Sequence, residues 1–225
     1  MQIAFEKLRT MDSVSREAYK ALRTNITFCG EDIKAIAITS SMPNEGKSTV
    51  AFSLAQAFAE DNKQVLLIDA DNRKSTLEYR YGVDRTVKGL SHFLAGTAEL
   101  RDVLCQTNIP YFHIILSGAA APNPSELLGN GKFSALLDGA REVYDYIFVD
   151  SPPIGSVIDA AVVAKQCDGV VYVVESGVTS YHLAKRGKEQ IEKSGCRILG
   201  AVLNKVERKS KGYGYGRYYG DYYKK

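Results

Sequence analysis

The sequence predicts an α/β protein with a doubly wound, mainly parallel sheet flanked by helices. Short apolar runs rich in β-branched residues recur along the chain, and most are continuous rather than alternating, as strands buried on both faces require. Helix-length segments separate them, so that strand and helix alternate as in a parallel sheet with right-handed crossovers. With 225 residues, 45% of them hydrophobic and 24% charged, the chain is long and apolar enough to close one large core.

The first element is helical. Ala18, Leu22 and Ile26 recur every four positions behind the candidate caps Asp12, Ser13 and Ser15, which predicts an amphipathic helix over about 13–28. The strands follow at Ala35–Ile38, Val65–Ile68, His113–Leu116, Tyr146–Val149, Val170–Val174 and Ile198–Leu203. Between them Ser48–Glu60, Lys132–Val143, Asp159–Gln166 and Ser180–Lys193 read as helices, and Pro122–Leu128 as a helix start with Ser125 as its candidate cap. The last stretch alternates glycine and tyrosine with nothing aliphatic to bury, which predicts a mobile tail. The expected organisation is a nucleotide-handling domain over 1–206 and a flexible tyrosine-rich tail over 207–225.

Composition removes several classes of function. No run approaches the roughly 18 apolar residues of a membrane span, and Met1 to Lys7 lacks the order of a secretory signal, so a cytosolic chain is expected. Cys29, Cys105, Cys167 and Cys196 are far apart with no C-x-x-C pair, which predicts buried free thiols rather than a zinc site or disulfides. The net charge is +3, but the 19 residues from Glu207 hold six Lys/Arg against two acids, a local +4 that leaves −1 on the rest. A near-neutral body with a basic tail is a poor footprint for nucleic-acid binding.

The chemistry lies at the strand ends. The run Ile36–Thr39 leads into Ser41-Met-Pro-Asn-Glu-Gly-Lys-Ser-Thr49 and then a helix, the strand–loop–helix context of a phosphate-binding P-loop, with Ser41 in place of the usual first glycine. Backbone N–H groups of Asn44, Glu45, Gly46, Lys47, Ser48 and Thr49 can converge on phosphates, Lys47 can bridge β and γ oxygens as an exposed loop side chain, and the Ser48 hydroxyl can ligate Mg²⁺. Two further strands end in Asp69-Ala-Asp71 and in Asp150-Ser-Pro-Pro. Ligands of doubly wound sheets sit at the carboxyl edge, so Asp69, Asp71 and Asp150 are expected around one phosphate-and-metal centre.

A P-loop, a strand reading Leu-Ile-Asp-x-Asp-x-Arg and another ending Val-Asp-Ser-Pro-Pro resemble the bacterial tyrosine kinases of capsule and exopolysaccharide synthesis. The likeness extends to Ser15–Asn25, Pro122–Leu128, Leu199–Lys205 and the tail. It implies a P-loop NTPase fold and an ATP- and Mg²⁺-dependent protein-tyrosine autokinase that regulates polysaccharide synthesis and export. Lys47 and the loop amides would stabilise the γ-phosphoryl, Ser48 with Asp71 and Asp150 would hold Mg²⁺, and Asp69 would orient or deprotonate the acceptor. Asn204 resembles a base-contacting residue whose amide meets adenine. The acceptors implied are Tyr213, Tyr215, Tyr218, Tyr219, Tyr222 and Tyr223, modified by a neighbouring subunit.

The resemblance also implies a homo-oligomeric ring, an octamer in the family's pattern, through Glu17, Lys20 and Arg23. Lys20 stands where the family has arginine and loses its bidentate fork. A membrane adaptor of the polysaccharide chain-length type, which would recruit the cytoplasmic kinase to the inner face of the membrane, and a cognate tyrosine phosphatase complete the implied partners; no nucleic acid is expected. The rival expectation is a partition or positioning ATPase switch. Those proteins carry a second lysine five residues before the phosphate-binding one, and Met42 stands there in this chain.

Overall fold

The computed structural model of the chain describes residues 1–8, 11–73, 75–83 and 87–207. The candidate acceptor tyrosines, Tyr213 to Tyr223, lie outside them. In chain order the elements are α1 (Ser13–Thr27), β1 (Ala35–Ser40), α2 (Lys47–Ala59), β2 (Val65–Asp69), α3 (Leu77–Tyr81), α4 (Leu90–Leu94), α5 (Leu100–Val103), β3 (Leu104–Gln106), β4 (Phe112–Ile115), α6 (Pro124–Leu128), α7 (Gly131–Val143), β5 (Tyr146–Asp150), α8 (Asp159–Ala164), β6 (Gly169–Glu175), α9 (Tyr181–Lys193) and β7 (Ile198–Asn204).

The sheet has the order β3-β4-β2-β5-β1-β6-β7 and is parallel except for β3, which pairs antiparallel with β4. All six strands expected from the apolar runs are present. Strand order turns around β1: the chain crosses to β2 on one side and returns to β6 on the other, which places a crevice at the carboxyl ends of β1, β2 and β5. Successive strand residues serve opposite faces. Ile36, Ile38, Leu67 and Phe148 pack with Phe52, Phe58 and Phe112 in one layer, while Ala35, Ala37, Leu66, Ile68 and Ile147 meet Phe133 and Leu137 in the other. α2 is buried along almost its whole length because it lies between sheet and α1.

The first helix starts where its cap predicts: Asp12 accepts from the N–H groups of Val14 and Ser15, each at 3.0 Å. Its packed face differs from the expected one. Ala18 is exposed, and the residues facing the core are Tyr19, Leu22 and Ile26. A 3.6-residue period alternates steps of three and four, so a line of pure four-residue steps drifts off the face. Arg23 is also turned inward, donating to the Ala57 carbonyl at 2.8 Å and lying 3.5 Å from Asp61, so it fastens α1 to the end of α2. Glu17 and Lys20 stay exposed and pair with each other at 2.8 Å.

Two smaller expectations change. Asn123 rather than Ser125 occupies the cap position of α6 with Pro124 at its first turn, because the Ser125 hydroxyl is drawn to Asp159 instead. Of the four cysteines, all free, only Cys105 is buried, while Cys29, Cys167 and Cys196 are half-buried. Among the described residues no helix is long and apolar enough to cross a membrane.

Candidate active site

The loop between β1 and α2 wraps the N-terminus of a thirteen-residue helix whose first N–H groups have no partner within the helix, a natural seat for phosphate. Two loop residues take left-handed backbone, Asn44 with φ 69° and Gly46 with φ 93°. Gly46 also lies so close to the Asn204 side chain that any Cβ would collide with it. Glu45 is a side-chain brace: its carboxylate accepts from the Met42 N–H at 2.7 Å and from the Thr179 hydroxyl. Ser41, at the missing glycine, is buried with its hydroxyl on that of Tyr172.

Lys47 is not the exposed side chain the sequence suggested. It is the first residue of α2, its side chain is only 10% accessible, and its Nζ lies 2.9 Å from Asp71 Oδ2, 3.3 Å from Ser48 Oγ and 3.8 Å from Asp150 Oδ1. Burial by itself lowers the pKa of Lys47, but Asp150 and Asp71 outweigh it and hold it above the ordinary lysine value. The cation and its carboxylates therefore form one charge-balanced cluster.

The three aspartates do converge, with different exposures. Asp69 and Asp150 are cross-strand partners at the ends of β2 and β5, both essentially inaccessible. Asp69 accepts from the Asp71 N–H at 3.1 Å and from the Ser75 hydroxyl, and burial together with neighbouring Asp150 pushes its pKa well above the ordinary 3.8. Burial also raises Asp150, with Lys47 and Ser48 pulling against it. Asp71 alone of the three lines the cleft. Asp69, expected to orient or deprotonate an acceptor, lies beneath the turn that carries Asp71 and does not itself line the cleft.

The cleft holds about 580 Å³, walled by the loop from Pro43 to Thr49, by Asp71, Arg73, Thr76 and Arg80, by the turn after β5, and by Asn204 and Lys205. Asn204 lines it, with its amide donating to the Glu45 carbonyl at 2.9 Å. Arg73, Arg80 and Lys205 were given no role from the sequence. Arg73 is gripped by buried Asp159, at 2.7 Å from Nε and 3.3 Å from Nη2, and Asp159 also accepts from Ser125. The Pro122–Leu128 stretch thus reaches the site through Ser125. Arg80 donates to the Thr49 hydroxyl, and nothing in its neighbourhood of the sequence signals that contact. Lys205 ends a stretch already singled out, which was its only signal.

For a metal, the cluster offers oxygen donors alone: the Ser48 hydroxyl and the Asp71 and Asp150 carboxylates. Asp150 Oδ1 is buried without a hydrogen-bond partner among the described residues, the kind of orphaned oxygen a hard cation satisfies. Those residues contain no group of three His, Cys, Asp or Glu able to hold a metal by themselves. Such a site suits Mg²⁺, which keeps water and phosphate oxygens among its ligands.

A doubly wound sheet with a P-loop at its switch point, a buried lysine and aspartates on the neighbouring strand ends defines a P-loop nucleotide-binding protein. A family model described as an AAA domain matches residues 33–195. The chain is 42% identical to the tyrosine-protein kinase CpsD of Streptococcus agalactiae over 219 residues, 97% of this chain and 95% of that one. It superposes on the kinase domain of the Escherichia coli tyrosine kinase ETK with a TM-score of 0.83 and 36% identity, covering 89% of this chain and 80% of that one. The cell division ATPase MinD of Pyrococcus furiosus is more distant, with a TM-score of 0.66 and 25% identity over 82% of this chain and 73% of that one. The chain belongs to this AAA-domain family and, within it, to the bacterial tyrosine-protein kinases.

Proposed function

We propose that the chain is an ATP- and Mg²⁺-dependent protein-tyrosine autokinase, acting on the tail tyrosines Tyr213, Tyr215, Tyr218, Tyr219, Tyr222 and Tyr223 of a neighbouring copy and serving capsular or exopolysaccharide synthesis and export. The observation that carries this is the Lys47–Asp71–Asp150 cluster at the mouth of a P-loop helix, in a chain of this family that ends in six clustered tyrosines. Phosphoryl transfer asks a protein mainly for positioning and charge neutralisation. The amides of the loop bind the phosphates, and Lys47 exchanges its carboxylate partners for phosphoryl oxygen. Ser48, Asp71 and Asp150 would hold Mg²⁺, which when bound would neutralise phosphate charge. Asp69, at the carboxyl end of β2, orients the acceptor phenol or draws off its proton, since a tyrosine of pKa about 10 is a weak nucleophile near neutrality. Asp69 fixes the turn that carries Asp71. Asn204 contacts the adenine base.

The same reading includes a cytoplasmic kinase brought to the inner face of the membrane by an adaptor of the polysaccharide chain-length type, reversed by a cognate tyrosine phosphatase and assembled as a ring through the helix of Glu17, Lys20 and Arg23, with Glu17 and Lys20 exposed to a neighbour and Arg23 bracing the helix against α2. The organisation follows, with a kinase domain over 1–206 and a tail over 207–225. An uncharged Met42 stands where a partition-type switch bridges two nucleotides with a lysine, which weighs against that reading. Incubating the purified chain with ATP and Mg²⁺ and mapping phosphotyrosine by mass spectrometry tests the proposal. Labelling of the tail cluster is expected, whereas ADP release without phosphotyrosine selects the switch.

A further inference from the structure

The end of β7 grips the phosphate loop by its back. Lys205 Nζ donates to the Asn44 carbonyl at 2.7 Å, and Asn204 Nδ2 donates to the Glu45 carbonyl at 2.9 Å. A trans peptide points its C=O and its following N–H in opposite directions. Holding the Asn44 carbonyl outward therefore aims the Glu45 N–H into the loop, and holding the Glu45 carbonyl outward aims the Gly46 N–H the same way. Among the described residues no acceptor takes either N–H, and the alternation of left-handed Asn44 and Gly46 suits an anion-binding concavity.

The grip is itself anchored. Lys205 pairs with Glu175 at 2.9 Å, the Glu175 N–H donates to the Thr179 hydroxyl at 3.2 Å, and that hydroxyl donates to the Glu45 carboxylate. Lys205 takes a left-handed backbone, φ 55°, to turn its side chain onto the loop, an uncommon state for a lysine.

We infer that Lys205, held by Glu175, is a positioning residue for nucleotide binding: it orients the amides that receive the phosphates instead of contacting the nucleotide itself. The alternative role for a cation on the cleft wall is direct attraction of phosphate, and the two differ in sign at Glu175. If Lys205 worked by its charge, Glu175→Gln would free that charge and tighten phosphate binding. If it works by aiming the loop, Glu175→Gln slackens the anchor and weakens binding.

The inference rests on nucleotide binding at this loop, and its test is calorimetric titration of the full chain with ADP and with AMP, alongside thermal melting. Lys205→Met is expected to weaken ADP about tenfold, equivalent to about 1.4 kcal/mol. Glu175→Gln should weaken it several-fold, while AMP, which lacks the β-phosphate, changes less than twofold in both. Lys205→Arg should recover most of the ADP affinity, and all three melts should stay within a few degrees of the parent. Tighter ADP binding in Glu175→Gln, unchanged ADP binding in Lys205→Met, or equal losses for ADP and AMP would each overturn the positioning role. A parent chain that binds no ADP would instead strike at the proposed function.

Discussion

Substituting Lys47 by methionine should cost the unliganded fold much of its stability as well as its activity. The side chain is 10% accessible and balances Asp71, 6% accessible at 2.9 Å, and Asp150, 1% accessible at 3.8 Å. Removing one member of a buried ion pair leaves an uncompensated charge, typically about 3–5 kcal/mol. Protonation relieves part of that here, because burial already raises Asp150 and Asp69, and losing the cation raises them further. We therefore take about 3 kcal/mol at pH 7.5, which for a chain of this size lowers the melting temperature by about 6–12 °C. The deficit should shrink toward pH 5.5 as the carboxylates accept protons, and Lys47→Met/Asp71→Asn should regain more than half of it. Differential scanning fluorimetry at the two pH values is sufficient. A single variant melting within about 2 °C of the parent, or one equally impaired at both pH values, would refute the charge-balance account of Lys47.

The same cluster gives a prediction of opposite sign. The folded pKa of Asp69 lies above its unfolded value, so its contribution to stability is fullest below about 3.8 and is lost as pH rises through the folded pKa. Asp69→Asn should thus raise the melting temperature at pH 7.5, flatten the fall in stability above the ordinary carboxylate range and sharply reduce turnover; melting and phosphotyrosine assays check the three together. At the other wall, Asp159→Asn removes the charge that holds Arg73 and should lower kcat/KM about tenfold, with Asp159→Glu restoring part of it, as steady-state kinetics would read.

Much of the site was legible because it lies where sequence patterns are strict. Continuous apolar runs ending in Asp69 and Asp150 fix both a buried parallel strand and the edge at which its carboxylate emerges. What escaped was set by contacts distant in sequence. β3 is a three-residue edge strand whose short apolar stretch, Val103-Leu104-Cys105, is shared with the preceding helical turn, and only its pairing with β4 makes it a strand. The burial of Lys47 depends on β2 and β5 closing over it, and the inward turn of Arg23 on a carbonyl 34 residues away. Ser125 reads as a cap by residue type, yet Asp159 offers it a buried charged acceptor, a stronger partner than a backbone N–H. Arg80 and Lys205 reach the cleft from elements far apart in the chain, and no local pattern encodes such a meeting.

The central claim is that this cluster transfers phosphate to tail tyrosines of another copy, and a mixing experiment measures it directly. One chain carries Lys47→Met/Asp71→Asn with its tail intact; the other is active but lacks residues 208–225. With ATP and Mg²⁺, mass spectrometry should find phosphate on Tyr213 to Tyr223 of the first chain only when the second is present. Phosphotyrosine that forms solely in intact active chains, with none on the inactive partner, would contradict transfer between copies, and its absence from every chain would contradict the kinase itself.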